Sequence, residues 1–157
     1  MKSKKVTLVI CIAVPLIVGA ASAFLSGGGM ETFEKIVKPP LSPPGWLFPV
    51  VWTILYVLMG VASYLVYTSN ENTQNIVPAM TIYGYQLAVN FFWSIWFFNF
   101  GLYLFSFFWL ILLWILIFVT IRLFYQISKP AAYLMIPYLV WVTFAGYLNL
   151  GIWLLNR

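Results

Sequence analysis

Histidine and aspartate are absent from this 157-residue sequence, cysteine occurs once, and the only acids are Glu31, Glu34 and Glu71. Without histidine there is no imidazole metal site, no Ser-His-Asp or Cys-His triad and no His-ligated haem. One cysteine, Cys11, cannot form an internal disulfide; it reads as a buried thiol. Charged residues make up 7% of the chain, against about a quarter in a soluble domain. What is abundant is apolar surface: 64% of residues are hydrophobic and 20% aromatic, with eight Trp. The composition is that of a small integral membrane protein whose chemistry comes from aromatic surface. It calls for no metal and no required cofactor. The net charge of +5 does not make a nucleic-acid binder, because the basic residues are too few and scattered for a phosphate-tracking face.

Five apolar stretches, charged only at Arg122, are long enough to cross about 30 Å of hydrocarbon. They run over residues 6–25, 47–68, 78–99, 103–126 and 131–155 and take up most of the chain. Each is too long for a barrel strand, and helices satisfy their own backbone groups in lipid. The expectation is an all-α integral membrane bundle of five transmembrane helices forming a single domain, 1–157. Met1–Lys5, the first apolar run and Ala21-Ser22-Ala23 also fit a signal peptide, but a true first helix is the favoured reading. Residues 69–77 form a polar loop, with Pro78 in the first turn of the next helix. Residues 99–102 and 128–130 are tight turns. The one long connection, 26–45, opens on three glycines and closes on four prolines. A loop of that length in so small a bundle points to function. Lys2, Lys4, Lys5, Arg122 and Lys129 on one side, against Lys35, Lys38 and Arg157 on the other, favour a cytoplasmic N-terminus.

No Asp, Glu, Lys or His lies inside any span, which disfavours a proton- or cation-coupled transporter. Trp46, Trp96 and Trp153 fall near span ends, where an interfacial belt explains them. Trp52, Trp114 and Trp141 lie deeper. Gln86, Asn90 and Ser94 recur every four residues and form one polar stripe expected to face the bundle interior. Pro137, Trp141, Ala145 and Asn149 repeat likewise, and Trp52, Tyr56 and Ser63 share a face. Gly19, Ala20 and Ala23 permit close helix approach, whereas 103–126 reads as bulky, lipid-facing and supportive. Depth brings Trp52, Asn90 and Trp141 to one cavity beneath the long loop, suited to a flat, largely apolar ligand. Lys35 and Lys38 stand at its rim, placed to meet carboxylates on such a ligand.

Three segments carry a family likeness: KPPLSPPGWLFPVVWTILYVLMG (38–60), YQLAVNFFWSIWFF (85–98) and AAYLMIPYLVWVTFAGYLNLGIWLLN (131–156). The chain resembles the TspO/MBR family of tryptophan-rich sensory proteins and translocator (peripheral benzodiazepine receptor) proteins. The resemblance implies five transmembrane helices, a homodimer in a bacterial cell membrane and a pocket closed by the first loop. It implies a receptor or sensor for porphyrins (protoporphyrin IX, haem) and for isoquinoline or benzodiazepine ligands. Carried over by motif, the pocket residues are Trp52, Asn90, Trp141 and Ala145, with Gln86, Phe91 and Leu148 close by and Phe33 on the loop. The chain departs from the family pattern at Thr32-Phe33, where a Trp-Tyr pair is usual, and at Leu41, where a Trp is. The sterol motif expected on the last helix is absent. Alternatives to a receptor are light-dependent porphyrin breakdown, in which Trp52 and Trp141 would take part, and passive porphyrin or lipid translocation. Gly84 and Ala88 form a small-xxx-small pair able to join two protomers or, equally, to pack inside the bundle; the dimer is what the resemblance implies.

Overall fold

The computed structural model describes residues 2–27 and 29–157, with backbone alone for residues 2, 3, 29 and 30. Among the described residues six α-helices follow one another: α1 (Lys2–Leu25), α2 (Gly29–Lys35), α3 (Leu47–Tyr67), α4 (Thr73–Ser94), α5 (Tyr103–Ile127) and α6 (Lys129–Asn156). A π-helical turn, Ile95–Asn99, extends α4. No strand occurs among the described residues. In lipid this is the expected solution, since a helix leaves no backbone donor or acceptor facing hydrocarbon.

Four helical stretches, Lys4–Leu25, Leu47–Tyr67, Tyr103–Ile127 and Lys129–Asn156, are long and apolar enough to cross a membrane. The fifth expected span corresponds to α4, which is 22 residues long but too polar to qualify by the same standard. Its polarity comes from Thr73, Gln74 and Asn75 at one end and from Gln86 and Asn90 in its middle. The latter two are buried. α4 also begins five residues before Pro78. Asn72 caps it, its side chain accepting from the Gln74 amide at 3.0 Å, so the helix starts where its orphan amides find a partner. Pro78 therefore lies inside the helix, and the loop expected over 69–77 shrinks to a few residues.

Ser128 serves two helices. Its amide closes α5 on the Phe124 carbonyl at 2.7 Å, and its side chain caps α6, with Pro130 in the first turn. The turn between α4 and α5 needs Gly101, whose φ of +60° lies in the left-handed region that side chains disfavour.

α5 packs along α6 and α4, and α1 lies on α3. The core is built from Met59, Leu113, Ile117, Phe124, Met135, Tyr138 and Val142, all essentially inaccessible. α5 is thus lipid-facing on one side only; its Leu110, Leu113, Ile117 and Phe124 join this core. α1 meets α3 through Gly60, where an added Cβ would sit 2.5 Å from the Ile12 Cα. Cys11, next to Ile12 at that contact, is half-buried rather than enclosed. Trp114, expected deep, lies at the protein surface. Its ring stacks on Phe118 and its indole N–H donates to the Thr143 hydroxyl at 2.8 Å. Trp96, assigned to a belt, sits in a cluster of rings with Phe92, Phe105 and Trp109.

Candidate functional site: an aromatic cavity beneath the first loop

A cavity of about 620 Å³ opens between α1, α3, α4 and α6. Beyond Leu16, its α1 wall is made of small side chains, Gly19, Ala20, Ser22 and Ala23, and these leave the space. A Cβ on Gly19 would overlap the Tyr56 ring, so the glycine lets that ring lie against the helix. Opposite stand Phe48, Trp52 and Tyr56 of α3, and Trp141, Ala145, Leu148 and Asn149 of α6. Asn90 and Trp93 form the α4 side, and the π-helical turn adds Phe97 and Phe98. One extra residue in that turn rotates successive side chains, so two adjacent rings reach the same space.

The aromatic walls hold one another in place. Trp52 stacks on Tyr56 with centroids 5.5 Å apart and meets Tyr138 edge-on at 6.1 Å. Phe48 bridges Phe33 at 4.9 Å and Trp141 at 5.8 Å. Each such pair contributes about 0.5–1.5 kcal/mol beyond its burial.

Polar groups of the cavity are already engaged. The Tyr56 hydroxyl donates to Asn90 Oδ1 at 3.3 Å, and Asn90 Nδ2 donates to the Tyr138 hydroxyl oxygen at 2.7 Å. The Tyr138 hydroxyl donates in turn to Gln86 Oε1 at 2.7 Å. The polar stripe of α4 therefore ends in a closed network with α3 and α6, as buried amides require. A second pair ties α4 to α6 and α5: the Trp93 indole donates to Asn149 Oδ1 at 3.0 Å, and Asn149 Nδ2 donates to the Tyr103 carbonyl at 2.7 Å. Ser22 donates to the Phe91 carbonyl at 2.8 Å. The Trp141 indole nitrogen, by contrast, is buried without a partner. Among the described residues no acid or base lines the cavity, and what they offer there is stacking and shape.

α2 lies over the cavity, and its Phe33 is buried against Phe48. Lys38 follows the helix and turns back on it. Its ammonium donates to the Phe33, Glu34 and Ile36 carbonyls at 2.9, 3.3 and 3.2 Å and stands 5.0 Å from the Phe33 ring centre. A cation on the last carbonyls of a helix stabilises it, which explains why seven residues suffice. Lys35 pairs with Glu31 at 3.1 Å on the surface, a contact worth at most about 1 kcal/mol.

Residues 11–154 match the sequence profile of the TspO/MBR family. The chain belongs to that family. It is similar to tryptophan-rich protein TspO of Chlorobaculum tepidum, with 40% identity over 157 residues and 99% of each chain covered. It is also similar to tryptophan-rich sensory protein of Cereibacter sphaeroides, at 33% identity with 80% of this chain and 77% of the relative covered. The human translocator protein shares 35% identity, with 84% of this chain and 79% of the relative covered. Together with four helices able to span a bilayer, membership makes this a membrane protein.

Of the residues assigned from TspO/MBR motifs, Trp52, Asn90, Trp141, Ala145, Leu148 and Phe33 line one cavity. Gln86 does not; it is fully buried behind the wall, where it holds Tyr138. Phe91 packs edge-on against Phe92 and reaches the site only through its carbonyl. Neither Lys35 nor Lys38 is among the lining residues. Sequence reasoning missed Phe48, Trp93, Phe97 and Phe98. Trp93 and Phe97 were open to detection, because they stand four apart and stack at 5.2 Å. Phe98 was not, since only the π-helical turn brings it round.

Proposed function

We propose that this TspO/MBR protein is a membrane receptor for flat, largely apolar ligands of the porphyrin class, bound in the Trp52–Asn90–Trp141 cavity. The observation that carries the reading is the cavity itself. About 620 Å³ is within the usual range for small-molecule sites, and its walls are rings whose neighbouring amides are already paired. A planar macrocycle gains from stacking on such walls, and the Trp141 indole N–H, buried without a partner, is left as a free donor among them. Isoquinoline and benzodiazepine ligands fit the same description. The family likeness supports the choice of ligand class.

The ligand set follows from what the walls lack. With no histidine in the chain, Cys11 outside the cavity lining and the Tyr56 hydroxyl buried and engaged with Asn90, iron finds no free strong axial ligand. Protoporphyrin IX and haem are therefore expected to bind with affinities within about tenfold of each other, which corresponds to about 1.4 kcal/mol. Quenching of tryptophan fluorescence by each compound measures this, and haem binding a hundredfold more tightly overturns the account.

Two further readings belong to the proposal. α4 crosses the bilayer as a fifth span, because 22 residues reach about 33 Å and its central amides face inward. Gly84 and Ala88 are exposed on α4, which leaves them available to a second protomer in a bacterial cell membrane.

A further inference from the structure

The segment between α2 and α3 is strapped to the outer end of α6 at three points. Asn156, the last residue of α6, grips the strap backbone with both ends of its carboxamide. Its Oδ1 accepts from the Val37 amide at 3.0 Å, and its Nδ2 donates to the Val37 carbonyl at 2.7 Å. One helical turn back, Gly151 receives the Pro39 ring, which an added Cβ would meet at 2.7 Å. A further turn back, the Tyr147 hydroxyl donates to the Pro40 carbonyl at 2.6 Å.

These three points differ in kind. Pro39 is buried, and the strap beyond it is over-determined. Ser42 donates to the Pro39 carbonyl at 2.7 Å, and Leu41 is held at a φ of +70°, in the left-handed region that a side chain disfavours. Such a residue persists only where its neighbours enforce it. The Asn156–Val37 pair is exposed and consists of two neutral hydrogen bonds, a weak and readily exchanged contact with water as the competitor. From Val37 the connection runs straight to the lid. Lys38 ties the strap to the α2 carbonyls, and α2 carries Phe33 onto Phe48, which touches Trp141.

We propose that Asn156 is the clasp of the cavity lid, a positioning residue that controls how fast ligand enters and leaves by releasing Val37 while the Pro39–Gly151 contact acts as the fixed hinge. The proposal rests on the receptor reading for its ligand and on the unliganded chain for its mechanics. When the pair opens, α2 and Phe33 swing from the cavity mouth with the Lys38 cap intact. Both rates of exchange rise together, so residence time changes more than affinity does.

Hydrogen exchange of the full-length, unliganded protein in lipid nanodiscs tests the clasp. In Asn156→Ala, peptides within 31–42 should exchange about tenfold faster, while α6 peptides within 136–150 keep their protection. Asn156→Asp keeps the acceptor for the Val37 amide and loses the donor, so it should fall between. Stopped-flow dissociation of protoporphyrin IX should accelerate about tenfold in Asn156→Ala, with less than a threefold change in Kd. Unchanged exchange at 31–42 overturns the proposal, as does faster exchange spread equally over α6, which would make Asn156 a stability residue. Faster lid exchange with unaltered porphyrin dissociation overturns the gating role. If the unsubstituted protein binds no porphyrin, the receptor reading fails, and the exchange data still decide whether Asn156 holds the lid.

Discussion

Single residues set the shape of this site by what they leave out. Gly60 admits the α1 backbone, and Gly19 admits the Tyr56 ring. Gly84, also helical, meets nothing within 4 Å at its missing Cβ. The three make an internal comparison. Gly60→Ala forces a methyl group against the Ile12 Cα and the Cys11 carbonyl, and overpacking of that kind costs about 1–3 kcal/mol. Gly84→Ala should be neutral or slightly stabilising, since alanine is the better helix former by about 1 kcal/mol. Unfolding midpoints in mild detergent check both, and equal effects of the two substitutions would remove the close-approach explanation. The sequence supports half of this contrast. It shows that small residues recur, but which of them touch another helix depends on rotation about each axis. Trp114 and Trp52 teach the same point, because both lie centrally in apolar runs and only one turns toward the cavity.

At the scale of elements, α4 is the exception among the long helices, and its polarity is the clue to its role. Gln86 and Asn90 are unfavourable in hydrocarbon unless paired, so their spacing of four already indicates an inward stripe. Their partners, Tyr56 and Tyr138, could not be chosen from the many tyrosines by spacing alone. The network predicts a definite penalty. Asn90→Leu removes the acceptor of the Tyr56 hydroxyl and the donor to the Tyr138 oxygen. Tyr138 still donates to Gln86, so Tyr56 is the group left orphaned, and a loss of about 1–3 kcal/mol is expected. Asn90→Asp keeps the acceptor for Tyr56 but places a charge in a buried site, and it should be at least as damaging. Denaturation monitored by near-ultraviolet circular dichroism measures both, and a loss under 0.5 kcal/mol for Asn90→Leu would mean that the network adds nothing to stability. The short helix α2 escaped sequence reasoning for a related cause. Seven residues carry too little periodicity to read, and α2 exists because Lys38 caps it and Phe33 has a cavity to cover.

For the whole molecule, the consequence to test is topology. With α4 as a span, the Asn72 and Gly101 ends of that helix lie on opposite sides of the membrane. Single cysteines placed at Asn72 and at Leu102, in a Cys11→Ser background, should label with a membrane-impermeant maleimide from opposite faces of sealed vesicles. Labelling of both from one face would leave α4 lying within one side of the bundle and four helices crossing. The division of labour between sequence and structure is clearest at this scale. Composition alone decides that the protein lives in a bilayer, that it has no acid–base or metal chemistry of the histidine kind, and that its surfaces are rich in aromatic rings. Those properties are sums over residues and do not depend on arrangement. The motifs at 38–60, 85–98 and 131–156 add the family. What only tertiary structure decides is which rings share a cavity, which amides are already satisfied and what holds the lid. Those outcomes depend on the relative rotation of five helices, on one π-helical turn that redirects Phe97 and Phe98, and on Asn156 meeting Val37 across a sequence separation of 119 residues. No local pattern encodes a contact of that range, because the packing of the helices between them sets the distance.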